Sequence, residues 1–187
     1  VAQAEAGFET GTTDSAQILE DPEIDVVDVC LPNHLHRQAV IKALEAGKHV
    51  YCEKPIAGTA ADARAVAKAA REASSSFGMV FQYRFIPAIL RAKELIGASA
   101  VGRVFSFRAE YLHSGYQDAR RPLSWRMKAE EAGSGALGDL GSHIIDLMNY
   151  LLGEFDSVQG HMETFVRERP ITPGAPSTGL VTVDDAA

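Results

Sequence analysis

The sequence predicts an α/β fold in two parts, and three observations carry that reading. β-Branched runs alternate with amphipathic helical stretches through the first half, at the lengths of strand–helix–strand units. Near residue 85 the pattern changes to longer, alternating strands of the half-exposed, antiparallel kind. The composition, 46% hydrophobic and 23% charged over 187 residues, is that of a soluble globular protein with a real core.

Taken in order, the opening from Val1 reads as the end of a helix, and the first strand is Ile24–Leu31, a β-branched run stopped by Pro32. His34 to Ala46 follows as an amphipathic helix, with Leu35, Ala39, Val40, Ala43 and Leu44 on one face and Gly47 as its stop. His49 to Glu53 forms the next strand. Thr59 or Ala60 to about Ala73 is an alanine-rich helix closed by a serine loop, and Gly78 to Tyr83 is a third strand. Pro87 opens a helix that runs to Ile96. This β-α-β-α-β order implies crossover connections and a parallel sheet.

The boundary falls near Tyr83–Pro87, which gives units at residues 1–84 and 85–187. In the second unit, Val101 to Leu112 alternates as a long strand, His113 to Gly135 is polar and irregular, and Ala136 to Leu152 is a helix ended by Gly153. Ser157 to Arg167 and Gly179 to Asp184 read as further strands.

Several functions are excluded at this level. A net charge of -7 and the lack of a basic, aromatic-interleaved block speak against a nucleic-acid footprint. No apolar run approaches the roughly 20 residues of a membrane span. Cys30 and Cys52 both fall in expected buried strands, as inert packing in a reducing, cytoplasmic compartment. His34 and His36 are spaced too poorly to chelate, and Asp139, His143 and Asp146 lack a recognised metal-ligand spacing, so no metal is expected.

Two places carry chemistry. Pro32-Asn33-His34 ends one strand and Glu53-Lys54-Pro55 ends the next, and parallel neighbours bring both to one rim of the sheet, where ligands bind. Asn33 and His34 can hydrogen-bond a cofactor, although Asn33 is equally suited to cap the helix it precedes. Lys54 follows a buried strand and precedes a proline that fixes the turn, a position suited to reaching a substrate oxygen; its bond to Pro55 is of the type in which cis is accessible. The second place is Gly133 to Asp146, where Asp139 and His143 are i and i+4 on one helix face and Asp146 continues the stripe. Glycines at 135, 138 and 141 open room for close approach. A neutral histidine oriented by a carboxylate can take a hydroxyl proton near neutral pH.

The runs Pro32-Asn33-His34, Ala43 to Val50, Glu53-Lys54-Pro55, Phe81 to Ala88 and Gly133 to Asp146 together resemble the glucose-fructose oxidoreductase / inositol dehydrogenase / rhizopine-catabolism (Gfo/Idh/MocA) family over essentially the whole chain. The resemblance implies a partial Rossmann-type parallel sheet followed by an α/β domain on an open, mostly antiparallel sheet. It implies NAD(P)-dependent hydride transfer to or from a hydroxyl or carbonyl of a sugar, polyol or related carbohydrate, with NAD or NADP as cofactor. Lys54, Asp139 and His143 match the family's catalytic residues. Pro32, Asn33, His34, Glu53, Lys54, Gln82, Arg84, Trp125 and Arg126 are expected at the cofactor. Lys54, Tyr111, His113, Arg126, Asp139 and His143 are expected at the carbohydrate, with Tyr116, Arg120, Arg121 and Trp125 as further stacking and donor groups. A homo-oligomer formed through the C-terminal sheet is the expected assembly.

The sequence departs from the family in carrying no Gly-x-Gly-x-x-Gly before Ile24, Ser134 where a glycine is usual, and Gln82 where asparagine is common. Truncation at both ends is the expectation drawn from this. The alternative reading is a non-catalytic, sugar-binding or regulatory relative, or an inactive fragment.

Overall fold

The structure, a computed structural model, describes residues 7–187, so the helix end read at Val1 lies outside the described residues. A short helix α1 (Ser15–Glu20), capped by Asp14 through its side chain, precedes strand β1 (Val26–Val29). Then come helix α2 (Asn33–Glu45), strand β2 (His49–Cys52), helix α3 (Ala60–Glu72) and strand β3 (Phe77–Met79). The three strands lie in the order β1-β2-β3 and pair in parallel, with Val27 opposite Val50 and Tyr51 opposite Gly78. The expected β-α-β-α-β unit is therefore present.

Its core is built by alternation. In β2, Val50 and Cys52 point inward while His49 and Tyr51 are exposed. The inward face meets Val40, Ala43 and Leu44 of α2 and Val66 of α3, all buried with Val29 of β1. Burying the Val29, Val40, Leu44 and Val66 side chains contributes on the order of 1.5–3 kcal/mol each. Gly47, at φ 77°, turns the chain out of α2, and Thr59 caps α3 by accepting from the Asp62 N–H at 3.1 Å. Two boundaries move. β1 stops at Val29, so Cys30 is exposed rather than buried. β3 stops at Met79, because residues Gln82–Phe85 wind into a 3₁₀ turn.

Helix α4 (Pro87–Gly97) starts at its proline as expected. The second unit then differs most from the sequence reading. Among the described residues, 101–112 form no strand, and Phe105 and Leu112 are 86% and 85% exposed. Alternation alone cannot make a strand, which needs a hydrogen-bonded neighbour, and no neighbour pairs with this segment here. Residues 157–167 likewise supply only an isolated bridge, Glu163 to Ala186. What forms is a small antiparallel pair, β4 (Glu168–Pro170) with β5 (Thr178–Leu180), so the molecule is a Rossmann-like parallel sheet of three strands plus a small antiparallel sheet.

Between these lie a 3₁₀ turn Trp125–Met127 and a short helix α5 (Ala129–Ala132). The predicted helix 136–152 begins with a π-helical turn, Leu137–Gly141, and continues as α6 (Ser142–Leu152), ending at Gly153. The glycines at 138 and 141 sit inside that wide turn, where a low side-chain load tolerates irregular winding.

Candidate active site

The two units meet at the carboxyl ends of β1 and β2, around a cavity of about 520 Å³. One wall carries Pro32, Asn33, Glu53 and Lys54; the other carries Trp125, Arg126, His113 and Tyr116, with Asp139 at the junction. The Lys54–Pro55 peptide bond that shapes the first wall is cis.

Lys54 is one of the links between the units. Its Nζ donates to the Asp139 Oδ1 at 2.7 Å and to the Asp139 carbonyl at 2.6 Å. The lysine side chain is only 13% exposed, so its charge is held in a partly dehydrated setting where electrostatic forces are stronger than in water. The expectation that Asp139 orients His143 needs revision: the Asp139 carboxylate faces Lys54, and the His143 Nδ1 is buried without a hydrogen-bond partner. The Lys54 ammonium engages that carboxylate in place of the imidazole.

His143 sits in an aromatic nest instead. Its ring lies 4.5 Å from that of Tyr83 and 6.0 Å, edge-on, from Phe81. Tyr111 adds a third ring at 6.3 Å, and its hydroxyl lies 2.8 Å from that of Tyr83. That hydrogen bond raises the Tyr111 phenol above its usual range. The histidine is 5% exposed. Burial lowers its pKa below the ordinary value, and the nearby Lys54 cation lowers it further. His143 is not itself part of the cavity wall; His113 is, with its Nδ1 accepting from the Gly115 N–H at 3.0 Å.

The other expected residues divide into groups. Asn33 and His34 dock the two units together: the Asn33 Nδ2 donates to the Ala132 carbonyl at 2.8 Å and the His34 Nδ1 lies 3.1 Å from the Glu131 carbonyl. Asn33 is inside α2 and does not cap it, because Pro32 holds the cap position. Arg84 is turned away from the cavity into a fork on Asp146, its Nε 2.9 Å from Oδ2, and that hydrogen bond raises the guanidinium pKa. Its guanidinium also lies over the Tyr150 ring at 5.2 Å. Gln82 is exposed on the 3₁₀ turn, outside the wall. Arg126 stacks on Trp125 at 4.4 Å, Arg121 on Tyr116 at 4.5 Å, and Arg120 pairs with Asp118.

Sequence reasoning missed three residues. Buried His36 holds both rims, its ring nitrogens 2.7 Å from the Leu31 carbonyl and 2.8 Å from the Pro55 carbonyl. Asp184 accepts from the Gly135 and Leu137 N–H groups at 2.8 and 2.7 Å. Gly133 to Gly138 does spell Gly-x-Gly-x-x-Gly, yet a carboxylate of this same chain occupies its amide groups. A Cβ at Gly135 would overlap the Asp184 carbonyl. This glycine run is therefore an internal clasp, and the motif here carries no phosphate-binding argument. Arg169, the third, lines the cavity from β4. No pattern in the sequence marks these three, since each works through contacts distant along the chain.

Among the described residues no cluster of histidine, cysteine and carboxylate could hold a metal ion, and no helix is long and apolar enough to cross a membrane. Burial raises the pKa of both cysteine thiols, that of Cys52 to about 12, which leaves Cys52 without nucleophilic character at neutral pH.

Comparison with known proteins gives a consistent picture. Residues 2–81 match the family model described as an oxidoreductase family with an NAD-binding Rossmann fold, and residues 89–187 match the GFO/IDH/MocA C-terminal domain. The chain is 45% identical over 176 residues to levoglucosan dehydrogenase of Pseudarthrobacter phenanthrenivorans, covering 94% of this chain and 45% of that protein. It is 35% identical to 1,5-anhydro-D-fructose reductase of Ensifer adhaerens, over 80% of this chain and 44% of that one. Among solved structures, levoglucosan dehydrogenase in complex with NADH and levoglucosan superposes with a TM-score of 0.93 at 44% identity, over 98% of this chain and 48% of the other. The chain spans about half the length of the relatives it matches.

Proposed function

The chain belongs to the GFO/IDH/MocA family of oxidoreductases, and from that premise we propose that it serves NAD(P)-dependent hydride transfer between a nicotinamide and a hydroxyl or carbonyl carbon of a sugar or polyol. The observation that carries the proposal is the Lys54–Asp139 contact at 2.7 Å, which joins the two units on the wall of the cavity. Levoglucosan and related anhydrosugars are the leading substrates, because relatives named for them cover most of this chain. The reading extends to a cytoplasmic setting, where both free cysteines stay reduced.

The residues at the cavity suit the nicotinamide end of the cofactor. It opens at the carboxyl ends of two parallel strands, the usual ligand position in such sheets, with Pro32, Asn33 and Glu53 on one side and Trp125 on the other. When bound, the nicotinamide supplies the acceptor or donor of hydride. The protein's part is electrostatic and positional. Asp139 fixes the Lys54 ammonium in place; that ammonium hydrogen-bonds the reacting oxygen and stabilises alkoxide charge as it develops. His143, kept neutral by burial beside Lys54, receives the hydroxyl proton in oxidation and returns it in reduction. Tyr111 and Tyr83 hold the imidazole, and His113, Tyr116 and Arg126 offer stacking faces and donors to the rest of the sugar ring. Because His113 stands on the wall itself, it is the competing base.

The test is steady-state formation of reduced nicotinamide by the protein expressed from its complete coding sequence, with levoglucosan, simple pyranoses and polyols. Turnover of at least one carbohydrate is expected, with Lys54→Met and His143→Asn each lowering kcat about 10²–10³-fold and His113→Asn retaining most of kcat. Sugar binding without turnover would favour the non-catalytic relative. Loss of turnover in His113→Asn, with turnover retained in His143→Asn, would move the base to His113.

A further inference from the structure

From the segment 113–121, His113 and Tyr116 line the cavity, yet little in the segment's own sequence holds them there. The segment's backbone bonds are local, Gln117 N–H to the Ser114 carbonyl and Arg121 N–H to the Asp118 carbonyl. The side-chain bonds that begin and end within the segment, among them Arg121 to the Gly115 carbonyl at 2.7 Å and Arg120 to Asp118, are exposed. Such contacts exchange readily with water and fix little. The long-range hydrogen bonds reaching this segment come from Arg169. Its Nη1 donates to the Asp118 carbonyl at 2.8 Å and its Nη2 donates to the Tyr116 carbonyl.

Arg169 is an unusual choice for that task. It is 2% exposed, yet its guanidinium bonds neutral carbonyls, and no carboxylate among the described residues forms an ion pair with it. Its Nε is buried with no hydrogen-bond partner, and the residue lines the cavity. A buried cation is costly to place, so it persists where a planar fork of donors is needed. Two carbonyls two residues apart, held by the two arms of one guanidinium, are such a need; the point charge of lysine cannot span them in the same way.

We propose that Arg169 is the positioning residue that sets carbohydrate selectivity: from β4 it locks the Tyr116–Asp118 backbone, and so fixes where Tyr116 and His113 meet the part of the sugar remote from the reacting carbon. The proposal rests on the carbohydrate reading of the site. It assigns no chemistry to Arg169, which acts through the wall it holds.

The experiment compares wild type, Arg169→Lys, Arg169→Gln and Tyr116→Ala in the protein expressed from its complete coding sequence. Tyr116 is only partly buried, so its variant tests the wall without disturbing a buried cation. For two sugars differing away from the oxidised carbon, KM is expected to rise at least tenfold in both Arg169 variants. The ratio of kcat/KM between the sugars is expected to change at least threefold, and Tyr116→Ala to reproduce that change. NADH affinity stays within twofold. Amide hydrogen exchange at residues 116–121 is expected to accelerate at least tenfold in Arg169→Gln while α6 stays protected. Unchanged exchange in that segment, an unchanged selectivity ratio, or an equal loss for both sugars with weakened NADH binding would each overturn the proposal. If wild type turns over no carbohydrate, the functional reading fails on its own, and the exchange comparison still decides whether Arg169 holds the wall.

Discussion

The Lys54 charge bears on the protonation of His143, and this gives a prediction with a definite sign. Burial and the Lys54 charge both disfavour the imidazolium, whereas Asp139 and Asp146 favour it less strongly. The folded pKa therefore lies below the ordinary value of about 6.5. A base must be neutral to act, so the acid limb of kcat/KM is expected below pH ~6.5. Replacing Lys54 by Met removes one of the two lowering causes, and the limb of the residual activity moves to higher pH. The same change costs about 10²–10³-fold in kcat, the scale of losing one preorganised stabilising donor. Direct titration of the His143 ring by NMR checks the shift without activity; a ring pKa unmoved or lowered in Lys54→Met would refute the coupling. The linkage to stability has the same origin. Between the folded and unfolded pKa values the unfolded chain binds more protons, so stability rises with pH through that window and is lost as pH falls from about 6.5. Lys54, Asp139 and His143 were all legible in the sequence, from a strand end and from a helical spacing. The Lys54–Asp139 pairing was not, because it joins residues 85 positions apart that no local pattern brings together.

The parallel unit was legible element by element, since β-branched runs, Gly47, Thr59 and Pro87 each encode a local stop or start. The second unit was not. Residues 101–112 alternate like a strand but have no partner here, and alternation specifies a face without supplying a neighbour. The active-site segment shows the same dependence on distant contacts. Gly133 to Leu137 enters the π turn without a side-chain cap of its own, and Asp184 supplies the acceptor from 47 residues away. Removing it in Asp184→Ala leaves the Gly135 and Leu137 N–H groups unsatisfied and partly buried, at a cost of about 1–3 kcal/mol. Gly135→Ala is expected to cost as much or more, because its Cβ meets backbone rather than a movable side chain. Thermal unfolding checks both, with a lower Tm expected for each and the Asp184→Asn variant falling between Asp184→Ala and wild type. Wild-type stability in Gly135→Ala would show that the segment can shift and that the clasp is loose.

At the scale of the whole molecule, the cavity and the cofactor pose separate problems. The strand ends, Lys54 and Trp125 surround a space fit for a nicotinamide and a sugar ring. Most dinucleotide affinity in such folds comes from elsewhere, through a glycine turn and helix N-terminus that bind the pyrophosphate. These 187 residues carry no such glycine turn ahead of Ile24, and their one literal Gly-x-Gly-x-x-Gly is already occupied by Asp184. A polypeptide of these residues alone is therefore expected to bind NADH with a Kd in the millimolar range, about −4 kcal/mol. Fluorescence titration of NADH measures this directly. Micromolar binding by the 187 residues would mean that the cavity itself supplies the affinity, with Arg126, which makes no ion pair among the described residues and stacks on Trp125, as the first cation to test for contact with the cofactor's phosphates.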